Sequence, residues 1–240
     1  MQQYFTQQPV RINQLIELDH KQRHHIQNVM RMNHNEEILI SDQKAIYQCK
    51  LVLRDKLFFA MPYRLWNTDP ELPYPIKLYA ALIKNEKWEY LIQKATELGV
   101  FEIIPLITKR TIVKVNSKLD QKVDRWNKIA MEACEQSHRR LLVKVSAPID
   151  LAKVPYDPQA TNILASETEE RTFINKLDLV KATNLIIGPE GGFTDDEVQK
   201  LVQSGYQACS LGKRILRAET AACYALSVIA MYGEASVWKK

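Results

Sequence analysis

The chain is poor in glycine and has few cysteines, and a cytoplasmic protein is expected from it. Four cysteines (Cys49, Cys134, Cys209, Cys223) are scattered through 240 residues with no C-x-x-C pair. That excludes a disulfide scaffold and fits reduced, mostly buried thiols of a cytosolic protein. Only seven glycines are present, none in a G-x-G-x-x-G or G-x-x-x-x-G-K-S/T run, so the common dinucleotide and triphosphate fingerprints are absent. The N-terminus MQQYFTQQPVR has no apolar run of the secretory type. The charge-free stretch between Glu219 and Glu234 is shorter than the ~20 apolar residues that cross a bilayer, so no membrane association is expected. His20/His24 and Cys134/His138 stand four residues apart, but neither pair has a third ligand nearby, and no metal is expected. Neither an internal repeat nor a low-complexity tract is found. Excess charge is small: the formal net charge is +5, compatible with a polyanionic partner and insufficient to prove one.

What is present is ordinary globular composition, 46% hydrophobic and 25% charged, organised around residues 185–233. Leu185-Ile186-Ile187 reads as a strand buried on both faces. It ends in Gly188-Pro189-Glu190-Gly191-Gly192, whose glycines let main-chain amides face a ligand. Thr194 and Glu197 form a T-x-x-E capping box, so a helix starts at about Asp195, with Gly205 as its C′ residue. A strand over Tyr206 to Leu211 leads into a second loop, Gly212-Lys213-Arg214-Ile215-Leu216-Arg217. A helix from Ala218 to Tyr232 follows, apolar on nearly every side and therefore expected to be buried, with Gly233 behind it. Two glycine-bearing turns, each between a strand end and a helix, predict a backbone-lined pocket of the kind open α/β sheets use.

Upstream, residues 1–66 are strand-rich. Val10 to Ile16 reads as a first strand carrying Arg11. Asp19 caps a helix to about Met32, with Lys21, His24, His25, Asn28 and Arg31 along one side and Ile26, Val29 and Met30 toward a core. Strands over Glu37 to Ser41, Ala45 to Leu53 and Leu57 to Met61 suggest a small, mostly antiparallel barrel. The basic stripe is either a nucleic-acid face or a solvated helix surface. Pro70, Pro73 and Pro75 mark the stretch from Asn67 to Pro75 as the boundary between a domain over residues 1–70 and one over residues 71–240. Beyond it strands and helices alternate: Ile76 to Ile83, a helix Glu86 to Leu98 closed by Gly99, Phe101 to Ile107, a long helix through Trp126 and Ala133, a short strand Leu142 to Val145, and Asn162 to Ala165. Such alternation predicts a mostly parallel sheet with helices on both faces.

IGPEGGFTDDEV (187–198) and LGKRILRAETAA (211–222), with HIQNVMRM (25–32), KNEKWEYLIQKATELGV (84–100) and WNKIAMEACEQS (126–137), resemble the RsmE-type ribosomal RNA methyltransferases of the SPOUT superfamily. The resemblance covers nearly the whole chain. It implies an α/β fold with a mostly parallel SPOUT-type sheet and a C-terminal trefoil knot, a PUA-like N-terminal β-barrel domain, and a homodimer. The implied activity is methylation of uridine N3 in 16S rRNA of the small ribosomal subunit with S-adenosylmethionine as donor. It assigns Leu164, Gly188, Glu190, Gly191, Gly192, Leu211, Gly212, Ile215 and Leu216 to the cofactor pocket, with Ser166 and Glu167 as weaker members. Uracil N3 carries a proton at neutral pH, and a guanidinium placed beside it would stabilise the imide anion; Arg217, inside L-R-x-E-T, is expected in that role, with Glu219 as its orienting partner or as general base. The alternative for Arg217 and Glu219 is a structural ion pair at a helix start. RNA contact is expected from Arg11, His25, Arg31, Lys84, Lys87, Arg139 and Arg140. A non-catalytic RNA-binding protein would have no need of a glycine-built pocket, and an enzyme for another adenine nucleotide would be expected to carry a phosphate motif.

Overall fold

The computed structural model describes residues 1–113 and 119–238. The chain forms two compact units, one of Met1–Glu71 joined by Cys134–Leu142, the other of Leu72–Ala133 with Val143–Lys240.

In the first unit β1 (Gln2–Phe5), β2 (Ile16–Glu17), β3 (Glu37–Ser41), β4 (Ile46–Arg54) and β5 (Leu57–Leu65) make one sheet in the order β1-β3-β4-β5-β2. Its pairings are antiparallel except β1 on β3. Tyr4, Ile16, Leu18, Ile26, Ile38, Ile40, Cys49 and Leu51 fill its core. The strand expected over Val10 to Ile16 does not form. Proline at position 9 is followed by a turn closed by Gln14 N–H on the Arg11 carbonyl (3.2 Å) with Asn13 at φ 62°, and only the far end pairs. The true first strand begins in two glutamines. Gln3 is fully buried, and its Nε2 donates to the Arg139 carbonyl at 2.7 Å.

Helix α1 (His20–His24) starts where expected, at Asp19, with a capping box closed by Gln22. It then widens into a π-helical turn over His25–Val29. The extra residue per turn shifts the register: Ile26 stays buried, whereas Val29 and Met30, expected inward, are exposed.

In the second unit come β6 (Ile76–Ala81), α2 (Asn85–Glu97), β7 (Glu102–Ile107), α3 (Leu119–Gln136), β8 (Lys144–Val145), β9 (Ile149–Asp150), β10 (Thr161–Ala165), β11 (Thr183–Ile187), α4 (Asp195–Gln203), β12 (Gln207–Cys209) and α5 (Ala218–Trp238). Seven strands form one sheet, β12-β10-β11-β6-β7-β8 with β9 also on β7, and every pairing is parallel. The C-terminal ends of β10, β11 and β12 therefore lie along one edge of the sheet. The central strands are nearly all apolar and buried, as sheets covered on both faces require. Trp88 on α2 meets Trp126 on α3 edge to face at 5.6 Å.

Helix α5 departs from expectation at its end. Gly233 does not stop it; the glycine is buried inside the helix, where an added Cβ would sit 3.7 Å from the Pro73 ring. Nor is α5 buried all round: Ala222, Ala225, Leu226 and Ile229 are covered, but Met231, Val237 and Trp238 are exposed. Among the described residues no helix is long and apolar enough to cross a membrane.

Candidate active site

The two glycine loops converge. A cavity of about 150 Å³ is walled by Ala165–Thr168 after β10, by Gly188–Glu190, Gly192 and Phe193 after β11, and by Ser210–Leu216 after β12. Asp195 and Val198 of α4 and Ala218 of α5 complete it. Of the residues expected there, Ser166, Glu167, Gly188, Glu190, Gly192, Leu211, Gly212, Ile215 and Leu216 line the cavity. Leu164 is fully buried one residue before the wall begins, and Gly191 turns its carbonyl to Arg110 (2.7 Å). Thr168, Phe193, Ser210, Lys213 and Arg214 also line it and were not assigned; loop residues adjacent to the glycines were the available signal.

One glycine is required here by close approach and a second by its backbone angle. Gly192 has φ +66°, and an added Cβ would lie 2.7 Å from Glu167 Oε1. Gly212 has φ +116°, in the region an L side chain resists.

The loop after β11 is tied down at its outer side. Arg110, just past β7, donates to the carbonyls of Gly191 (2.7 Å) and Phe193 (3.1 Å). The Glu197 carboxylate, only 6% exposed, takes Lys109 N–H on one oxygen (2.8 Å) and Thr194 N–H (2.9 Å) and Oγ1–H (3.1 Å) on the other. The capping box seen in the sequence is thus also the link between α4 and the end of β7. Lys109 Nζ pairs with Asp196 at 2.6 Å; that hydrogen bond and a second from Lys200 hold the Asp196 carboxyl below its usual range. In the loop after β10, the N–H groups of Thr172 and Arg171 donate to Glu169 and lower its pKa likewise.

Arg217 lies between two residues of the cavity wall, Leu216 and Ala218; it is exposed and has no ion pair among the described residues. Its expected partner is engaged elsewhere. Glu219 is buried and faces Lys87 of α2 at 3.7 Å, with Oε2 lacking a hydrogen bond. Arg217 and Glu219 are therefore not paired with each other, and Lys87, expected on an RNA face, is half-buried beside Glu219. Lys84, Arg11 and Arg31 are exposed. His25 is half-buried, its Nδ1 2.8 Å from the Tyr4 hydroxyl; burial and Glu135 raise that phenol's pKa.

Arg139 and Arg140, expected to contact RNA, are held in ion pairs. Arg139 is 3% exposed, and its guanidinium clasps Glu71 through Nε and Nη2 (2.6 Å). Glu71 further accepts the N–H groups of Arg140 (2.8 Å) and Leu141 (3.0 Å). Arg140 pairs with Asp69 at 3.1 Å. Both partners lie in the proline-rich stretch that the sequence read as a connector, so no local pattern announced them.

A parallel sheet whose strand-end loops enclose a main-chain-walled cavity matches a known class. The family model described as "RNA methyltransferase domain" matches residues 70–230, and that described as "RNA methyltransferase PUA domain" matches residues 18–59. Among curated proteins, the chain is 35% identical to ribosomal RNA small subunit methyltransferase E of Bacillus subtilis, over 98% of both chains. It is 36% identical to the protein of the same name from Mesomycoplasma hyopneumoniae, over 80% of this chain and 85% of that one. Among solved structures, ribosomal RNA small subunit methyltransferase E of Neisseria gonorrhoeae, bound to S-adenosyl methionine, superposes with a TM-score of 0.88 at 30% identity, covering 97% of this chain and 98% of that one. The chain therefore belongs to the ribosomal RNA small subunit methyltransferase E family.

Proposed function

We propose that the protein moves the methyl group of S-adenosylmethionine to N3 of a uridine in 16S rRNA of the small ribosomal subunit, in the cytoplasm and as a homodimer. The observation that carries the reading is the meeting of both glycine loops in one cavity at the edge formed by β10, β11 and β12. The residues present suit the donor. Main chain at Gly188, Gly192 and Gly212 can read an adenine edge, and Glu167, Glu190 and Asp195 around the cavity suit a ligand bearing a sulfonium and an ammonium. When bound, the donor supplies an electrophilic methyl group.

The protein's own residues then have two tasks. The first is alignment, since in-line displacement rewards orientation by several kcal/mol. The strapping of the β11 loop by Arg110 and Glu197 supports that role. The second is charge. Loss of the N3 proton spreads an anion over both uracil carbonyls, and the unpaired guanidinium of Arg217 at the cavity rim suits it. Glu219, held by Lys87, lies in the first turn of α5, and Arg217 immediately precedes that helix. Exposed Arg11, Arg31 and Lys84 are offered to phosphates, which position RNA without reading its sequence. The uncovered apolar side chains of α5 support the homodimer. The C-terminal knot belongs to the same reading.

Radiolabelled methyl transfer to small subunits from a strain lacking the modification tests the reading. The parent is expected to label 16S rRNA. Arg217→Ala should bind S-adenosylmethionine as the parent does in calorimetry, with turnover lower by about 10²–10³. A parent that binds ATP in preference and transfers no methyl group overturns the proposal.

A further inference from the structure

The first unit carries a concavity of its own. It is an open depression of about 240 Å³ lined by Gln48, Arg64, Leu65, Trp66, Asn67 and Thr68. No carboxylate lines it. Gln48 and Arg64 are cross-strand partners on β4 and β5, and Arg64 Nε donates to Gln48 Oε1. Arg64 has no ion pair among the described residues, so both Nη groups stay available. Trp66 is half-buried and fixed twice: its main-chain N–H donates to the Ile46 carbonyl at 2.8 Å, and its ring packs on the His138 imidazole at 5.8 Å. His138 is in turn held by a left-handed backbone (φ 56°) and by Nε2 against the Met1 carbonyl at 2.8 Å. Beside them on the same strand, Tyr63 lies under the cations of both Lys50 and Arg64.

A clamped indole, a guanidinium fork and a buried side-chain amide form a recurring set. Aromatic rings stack unpaired bases, arginine takes the adjoining phosphate, and an amide reads a base edge. An acidic peptide would use the cation but has no need of the indole.

We propose that this depression on β4 and β5 binds a single unpaired nucleotide of the RNA substrate, with Trp66 stacking the base and Arg64 holding its phosphate. The proposal rests on the reading that RNA is the substrate and adds the place where an unstacked base is gripped.

The test uses the full chain and two arms. In the first, fluorescence anisotropy follows a fluorescein-labelled single-stranded oligouridine and an RNA duplex of equal length. Trp66→Ala and Arg64→Gln should each weaken single-strand binding about tenfold, with little change for the duplex. Arg64→Gln should lower the salt slope by about 0.7, and Trp66→Ala should leave it unchanged. Trp66→Phe keeps a stacking face and should recover most of the loss, which separates stacking from a folding defect. In the second arm, both variants should raise KM for small subunits with kcat and S-adenosylmethionine affinity unchanged. Variants that bind oligouridine like the parent, or that lose duplex equally, overturn the site. A parent that binds oligouridine but methylates no subunit overturns the function and leaves the site standing.

Discussion

Glu197 offers the sharpest test of how the site is held. Its two carboxylate oxygens serve different masters, Oε1 taking the Lys109 N–H and Oε2 the N–H and hydroxyl of Thr194. Glu197→Ala removes the reciprocal half of the capping box, at ~0.5–1 kcal/mol. It also leaves the Lys109 N–H without its acceptor, at ~1–3 kcal/mol. The sum is about 1.5–4 kcal/mol, which for a chain of this size lowers Tm by roughly 3–16 °C. Glu197→Gln has one acceptor oxygen and can satisfy either Thr194 or Lys109, so about half that loss is expected. The loop after β11 would then have to order on binding, and roughly 1 kcal/mol of ordering raises the Kd for S-adenosylmethionine about fivefold. Calorimetric melting and titration measure both quantities. An alanine variant that melts within about 2 °C of the parent would refute the strapping role; unchanged cofactor affinity would restrict it to stability.

Three more predictions follow from single contacts. Glu71→Ala removes the carboxylate that the buried Arg139 guanidinium clasps and the acceptor of two main-chain N–H groups; a loss of about 3–5 kcal/mol is expected in urea unfolding, and Glu71→Gln should retain part of it. Gly192→Ala must hold φ +66° with a methyl 2.7 Å from Glu167 Oε1, so donor binding should fall at least tenfold by calorimetry, and normal binding would deny the close approach. Burial pushes the Cys49 and Cys209 thiols from 9.0 up to about 12. The unfolded chain then ionises first, so stability present below pH 9 declines as pH rises from 9 toward 12. At pH 10 the two thiols together amount to ~3 kcal/mol, and replacing both with alanine should flatten the slope of stability against pH over that range.

What the sequence disclosed was local. The capping box at Thr194 and Glu197, the glycine turns and the alternation from Ile76 onward are each written within a few adjacent residues, and the chain folds as they indicate. What it hid was long-range or polar. Gln3 reads as a surface residue, yet it is sealed by a carbonyl 136 positions away. Arg139, expected to contact RNA, is held by Glu71, 68 positions earlier, a contact that no local pattern marks. The π-helical turn at His25–Val29 changes which side chains face inward, and no hydrophobic period announces it. In the cavity, sequence motifs named the glycine walls; the carboxylate of Glu197 that straps one of them to β7 emerged only when the two were side by side.

The all-parallel sheet has a consequence for how the protein is made. Strand β6 leaves the ribosome early, but its neighbour β11 pairs with it across more than a hundred intervening residues, Ile76 against Thr183. Every wall of the donor cavity lies later still or close by, between Ala165 and Ala218. A nascent chain that has emerged only through β8 holds strands with an unfilled flank and no place for a ligand, so competence for chemistry arrives late and all at once.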